Sequence, residues 1–129
     1  MSHRALWLVG SIVLASAATY AWVGNPLDPF DNRRFSPEPW RLGYAHAQMA
    51  RDIVKRVVRP GMPEKQVVEL LGWPDRIRDR RGLGGDPLPD RRIYEYRLGS
   101  FTFYGMDDAF LYVHIDQSDH VIMAEIYGY

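Results

Sequence analysis

Cysteine is absent from the 129 residues. That excludes structural disulfides, thiol catalysis, Cys-based zinc sites and a lipid-modified N-terminal cysteine. Net charge is missing too, because 16 Lys and Arg balance 16 Asp and Glu. Recognition of nucleic acid would need a stronger basic surface than this. No internal repeat or low-complexity tract is present. The charge that exists is unevenly spread: residues 1–93 hold 15 basic against 10 acidic side chains, and residues 94–129 hold 1 against 6. A basic middle and an acidic C-terminal part describe either a dipolar solvated surface or a polar face for docking a partner.

Ala5 to Val23 carries no charge and is rich in Leu, Val, Ile and Ala, after a short positive start at Met1-Ser2-His3-Arg4. Two readings stay open. Ala15-Ser16-Ala17 fits the small-x-small pattern of a cleaved signal peptide. Alternatively, the uncharged stretch approaches the ~20 residues that span a bilayer, and Trp7 and Trp22 near its ends suit interfacial aromatic belts. In both cases the chain after Gly24 is exported. Residues 1–24 are therefore read as signal peptide or membrane anchor. Residues 25–43 are read as a stiff extended linker, since Pro26, Pro29, Pro37 and Pro39 interrupt them. Phe30, Phe35 and Trp40 from this stretch are candidates to tuck onto the domain.

Residues 44–129 form the folded unit, one domain burying ~60–65% of its unfolded surface. Tyr44 to Val58 reads as a helix, with Ala47, Ala50, Ile53 or Val54, and Val57 at helical spacing. Gly61-Met62-Pro63-Glu64-Lys65-Gln66-Val67-Val68-Glu69-Leu70-Leu71-Gly72-Trp73-Pro74-Asp75 reads as a helix start, a short amphipathic helix, a glycine stop and an exit turn. Pro63 suits the first helical turn. Val67, Leu70 and Leu71 share one face, Glu64, Lys65 and Glu69 the other. Gly72 and Pro74 end the helix. A charged, flexible segment follows, with Arg76, Arg78, Arg80, Arg81, the Gly82–Gly85 run, Arg91 and Arg92. Ile93 to Leu98 alternates as a half-buried strand, with Tyr94, Tyr96 and Leu98 inward and Glu95 and Arg97 outward. Gly99-Ser100 reads as a turn, Phe101–Asp108 as an aromatic excursion, and Phe110–Asp116 and Val121–Tyr127 as two further strands.

The fold expected is α+β, with two N-terminal helices packed on one face of a three-stranded antiparallel sheet (ααβββ) and an N-terminal hydrophobic helix ahead of them. In the last hairpin a two-residue turn at Ser118-Asp119 segregates the faces cleanly. Leu111, Val113 and Ile115 then join Ile122, Ala124 and Ile126, while Tyr112 and His114 join Val121, Met123 and Glu125. A three-residue loop with left-handed Asp119 and a bulge is the alternative, and it would mix the faces. The clean register is preferred.

Catalytic constellations are not found. His114 and Asp116 share a strand face, but the clean register sends His120 to the other, and a metal needs three or four convergent ligands. Asp107 and Asp108 are adjacent, so their side chains diverge. Ser36, Ser100 and Ser118 lie in turns without a nucleophile elbow, and Gly82–Gly85 lacks the lysine of a phosphate loop. No cofactor or metal is expected. The arginines of 76–92 could meet anionic headgroups, although Asp75, Asp79, Asp86 and Asp90 dilute them. Nine of 17 aromatics fall between Tyr94 and Tyr129. A sheet covered on one face cannot bury them all, which leaves an aromatic patch for an interface.

The Gly61–Asp75 segment, followed by Leu111-Tyr112-Val113-His114-Ile115-Asp116-Gln117-Ser118-Asp119-His120-Val121, resembles the BamE-like domain, also called SmpA/OmlA. The resemblance covers about Arg51 to Tyr127. Pro63 departs from the usual Ser or Thr helix cap, and Asp119 from the turn glycine. The family implies a non-enzymatic role in outer-membrane assembly, holding envelope complexes together by protein–protein interaction. Many members are lipoproteins. Here Leu14-Ala15-Ser16-Ala17 places Ala17 where the lipidated cysteine would stand, so lipid anchoring is out of reach, which counts against an outer-membrane assembly subunit.

The expectation is thus a cell-envelope protein, periplasmic and tethered to the inner membrane by its N-terminal transmembrane helix, which docks another envelope protein and has no small-molecule substrate. The alternative is a periplasmic inhibitor or ligand-binding module. Phe103, Tyr104 and Tyr112 are the candidate partner-binding residues, because Tyr112 alternates with Leu111 and Val113 and so turns away from the helices.

Overall fold

A computed structural model of the protein describes residues 29–81, 84–100 and 108–128. The hydrophobic N-terminal segment lies outside the described residues. No described helix is long and apolar enough to cross a membrane.

The first described element is a helix, α1 (Pro37–Arg41), inside the stretch whose prolines argued for an extended linker. The proline argument holds for helix interiors, whereas Pro37 and Pro39 sit in the first turn, where N–H groups have no intrahelical acceptor. Trp40 carries α1 onto the domain. It is 2% exposed, its indole N–H donates to the Leu71 carbonyl at 2.8 Å, and its ring stacks on His46 with centroids 4.0 Å apart. Phe30 is buried as well, and Phe35 packs against the same cluster. Residues that read as linker thus contribute to the core.

The next helix begins at His46, after Ala45 in a left-handed conformation at φ 56°. α2 (His46–Asp52) passes into a π-helical turn, Ile53–Val57, closed by the Val58 N–H on the Ile53 carbonyl at 2.9 Å. The wider turn inserts one residue. Ile53 and Val58, five apart, are therefore both buried, while Val57 stays at the margin of the core. A strict 3.6-residue period had favoured Val57. α3 (Glu64–Leu71) buries Val67 and Leu71 and exposes Lys65 and Glu69 as its pattern requires. Pro63 precedes it as the extended capping residue rather than standing in its first turn, and Gly72 ends it at φ 79°.

The sheet has four strands, not three: β1 (Arg76–Arg80), β2 (Arg91–Ser100), β3 (Asp108–Asp116) and β4 (Val121–Tyr127), in the order β1-β2-β3-β4 with every neighbour antiparallel. β1 is the strand that sequence reading took for a flexible charged segment. All five of its residues are exposed, so it has no buried face to leave a hydrophobic alternation, and pairing with β2 alone defines it. β2 runs on through Gly99 and Ser100, read as a turn, with a bulge between Arg97 and Gly99.

Both longer helices cover one sheet face. Tyr94, Tyr96 and Leu98 of β2 and Leu111, Val113 and Ile115 of β3 meet Met49, Ala50, Ile53 and Val67 there. The Tyr96 hydroxyl donates to the Gly72 carbonyl at 2.9 Å, and burial pushes its pKa well up, so it keeps its proton.

The last hairpin combines the two alternatives. Asp119 is left-handed at φ 61°, and the ladder slips between His114↔Met123 and Ile115↔Val121. The preferred two-residue turn is therefore not what forms, because Asp116 anchors a longer loop by accepting from the N–H groups of Ser118 at 2.8 Å and His120 at 3.0 Å. The faces nevertheless stay segregated from His114 onward. The extra residue is absorbed at Ile122 as a bulge, so Val113 still meets Ala124 and Leu111 still meets Ile126. Val121 changes sides and is buried in the core, while Ile122, expected beside Ala124 and Ile126, is not among the residues packed against it.

The two segments that carry the family resemblance meet in space. The Gly61 N–H donates to the Val121 carbonyl at 2.7 Å, Val121 returns a bond to Met62 at 2.8 Å, and the Glu64 N–H donates to the Asp119 carbonyl at 2.8 Å. Side chains close the same junction. Arg92 gives two bonds to the Glu64 carboxylate at 3.2 and 3.1 Å and also reaches Asp119, while the Tyr94 hydroxyl donates to Glu64. The start of α3, the start of β2 and the β3–β4 turn are tied at one point.

Candidate interaction surface

The sheet face away from the helices is built from alternate residues of all four strands. Register places Arg76, Glu95, Tyr112 and Glu125 in one row across it, and Arg78, Ile93, His114 and Met123 in the next. A charged surface was expected of Glu95, yet it is only 1% exposed. Its carboxylate pairs with Arg78. A carboxyl group so buried is tolerable only with such a partner. Burial, and then the Glu95 charge, raise the pKa of Tyr112, so the phenol remains a donor.

A second network runs along the same face. Arg91 Nε donates to His114 Nδ1 at 2.8 Å, and Arg91 Nη1 donates to Asp86 Oδ2 at 2.9 Å. The donor on Nδ1 fixes the tautomer, so the His114 proton sits on Nε2 and points to Glu125 Oε1, 2.9 Å away. The lone pair a general base would use is occupied by Arg91. Burial lowers the His114 pKa, with Glu125 opposing and Arg91 reinforcing the shift. The Arg91 hydrogen bond, helped by the Leu88 N–H, lowers that of Asp86. The chain Asp86–Arg91–His114–Glu125 is a clamp that joins the loop before β2 to the β4 edge.

That clamp has a measurable signature. The unfolded chain takes up a proton at His114 near its ordinary pKa of 6.5, while the folded chain resists until lower pH. Stability is therefore full above 6.5 and declines as pH falls below it. Urea unfolding is expected to show stability falling as the pH drops below 6.5, and no such fall between pH 8 and 7 from this group. His114→Gln should be less stable at neutral pH and lose this part of the slope.

The candidate residues separate. Phe103 and Tyr104 lie outside the described residues. Tyr112 is on the helix-free face, as its alternation requires, but it is 7% exposed instead of open. Tyr127 covers it, the rings stacked at 4.7 Å and 11°. Tyr127 is itself 56% exposed, the exposed aromatic among the described residues of this face. The signal for it lay in the clean pairing, which sets the β4 terminus beside Phe110 and Tyr112.

His114, Asp116 and His120 do not converge. His114 is engaged by Arg91 and Glu125, Asp116 holds the turn, and His120 Nδ1 faces the Ser118 carbonyl at 2.7 Å. Among the described residues no three His, Asp or Glu side chains are grouped to hold a metal ion. Asp108 pairs with Arg97 and Ser100, while Asp107 lies outside the described residues. A cleft of about 470 Å³ lies beside the loop that starts α2. Its His46 is held structurally, with Nε2 at 2.7 Å from the Trp40 carbonyl and Nδ1 at 3.3 Å from that of Arg97. A smaller cleft of about 310 Å³ at the end of the sheet gathers Arg81, Arg91 and Arg92 with Asp79 and Asp116.

Neither a family model, nor a curated protein, nor a solved structure matches this chain.

Proposed function

We propose that this protein is a non-enzymatic component of the cell envelope, exported and held at the inner membrane by its N-terminal segment. In this reading its BamE-like domain docks another envelope protein and stabilises a complex. The observation that carries the proposal is Tyr127, an exposed aromatic held in place by stacking on the buried Tyr112. A pre-ordered aromatic loses little conformational freedom on binding and excludes water well, which is why such side chains dominate interface energetics. The charged frame around it supplies orientation.

The test is affinity capture from envelope extracts of the native host, with and without Tyr127→Ala. Truncating an exposed side chain should change stability by no more than about 1 kcal/mol. An interface anchor should cost about 2 kcal/mol or more of binding. The expected result is a multi-subunit complex recovered by the parent chain and lost by the variant while its circular dichroism is unchanged. Capture that is indifferent to Tyr127 would move the binding face elsewhere. Recovery of a single hydrolase would favour the inhibitor reading instead.

A further inference from the structure

β1 is an edge of the sheet, and its sequence Arg76-Ile77-Arg78-Asp79-Arg80 alternates in charge. Pairing with β2 puts Arg76 beside Glu95, Arg78 beside Ile93 and Arg80 beside Arg91, which places all three arginines on the helix-free face. They recur at about 6.7 Å along the strand. Asp79 pairs with Arg92 and belongs to the other face. Counted along the chain the acids dilute the arginines; across the strand they do not. Arg78 is committed to Glu95. Arg76 and Arg80 hold no ion pair among the described residues, although Arg80 acts on Asp86 at longer range.

Among the described residues nothing pairs with the strand's outer margin, and all five of its residues are exposed. On an antiparallel edge, alternate residues turn their N–H and C=O groups away from the sheet. We propose that β1 is the acceptor edge for an acidic, extended segment of the docking partner. A strand with Asp or Glu at every second position adds to β1 by main-chain hydrogen bonds and lays its carboxylates against Arg76 and Arg80. This rests on the docking reading above and names the chemistry of its partner.

The match is one of period as well as sign. A strand repeats its side chains every two residues, the spacing at which the arginines stand, and strand addition uses the free backbone beside them. An anionic lipid surface would use the charge and leave the edge unsatisfied. A second copy of the same edge would oppose arginine with arginine, which is destabilising. β4, the other edge, offers a single carboxylate, Glu125. The arginines thus protect the edge from self-pairing and still admit an acidic strand.

The full chain in a non-ionic detergent, titrated against a fluorescein-labelled Glu-Val-Glu-Val-Glu peptide, tests this by anisotropy. Saturable binding is expected, with hydrogen exchange slowed at β1 amides and unchanged at β4. Replacing the peptide's glutamates by glutamine, or making Arg76→Glu with Arg80→Glu, should weaken binding on the order of tenfold. A central proline that keeps the peptide's charge should weaken it similarly. Equal binding of the glutamine or proline peptide would overturn the proposal. So would β1 protection by phosphatidylglycerol added to the micelles without any binding of the peptide. Envelope capture separates the two levels of the argument. A partner recovered equally by the Arg76→Glu/Arg80→Glu chain refutes the β1 assignment and leaves docking intact. Peptide binding as expected, with no partner recovered by the parent chain, refutes docking and leaves the edge chemistry standing.

Discussion

Trp40→Ala is expected to destabilise the domain by about 4 kcal/mol, the range for a large aromatic removed from a core. On a domain of this size that lowers the melting temperature by roughly 15–25 °C. The side chain is 2% exposed, bridges α1 to the end of α3 through the Leu71 carbonyl, and stacks on His46. Trp40→Phe keeps most of the apolar contact and loses the indole donor, so about 1–2 kcal/mol should go. Thermal melts of the two variants decide whether residues 29–43 belong to the folded unit. A linker residue would change stability by no more than about 0.5 kcal/mol.

Glu64→Ala should cost about 3 kcal/mol by a different mechanism. Its carboxylate accepts from Arg92 and from the hydroxyl of the buried Tyr94, so truncation leaves a buried phenol without an acceptor and frees a guanidinium held between two acids. Glu64→Gln retains an acceptor and should lose about half as much. A double-mutant cycle with Tyr94→Phe tests the attribution by urea unfolding. Once Glu64 is gone the Tyr94→Phe change should be almost neutral or favourable, giving a coupling of about 1 kcal/mol or more. Strict additivity would mean that the hydroxyl finds another partner and that the junction is weaker than its geometry implies.

Sequence pattern alone located α3, β3 and β4 to within a residue or two, and found the inward set of β2. Each has one buried face, and burial writes a period of 3.6 or 2 into the chain. The same logic turned Tyr112 away from the helices. Alternation within β3 did not place Tyr127 over it; that stack depends on the pairing of β3 with β4, where its signal lay. Glu95 misled for a related reason. A polar residue alternating with apolar ones reads as solvent-facing, and only the approach of Arg78 makes its burial possible.

Local rules also left alternatives that tertiary contacts resolved. Asp119 could end a tight turn or a looser one. The Asp116 side chain selects the looser loop, and the Glu64 N–H takes hold of the Asp119 carbonyl. A bulge at Ile122 then restores the pairing that the core demands. The ambiguity between Ile53 and Val54 ended in a π turn, which a fixed helical period cannot express.

The sequence by itself determined the α+β class and the absence of every cysteine-based chemistry, since these follow from composition and one-faced burial. Tertiary structure alone decided the fourth strand, the place of Trp40 in the core and the separation of Asp79 from the arginines beside it. β1 buries neither face and leaves no hydrophobic signature. Its identity as a strand, and the arginine row it presents, exist only because β2 offers a partner and the pleat sorts neighbouring side chains to opposite sides.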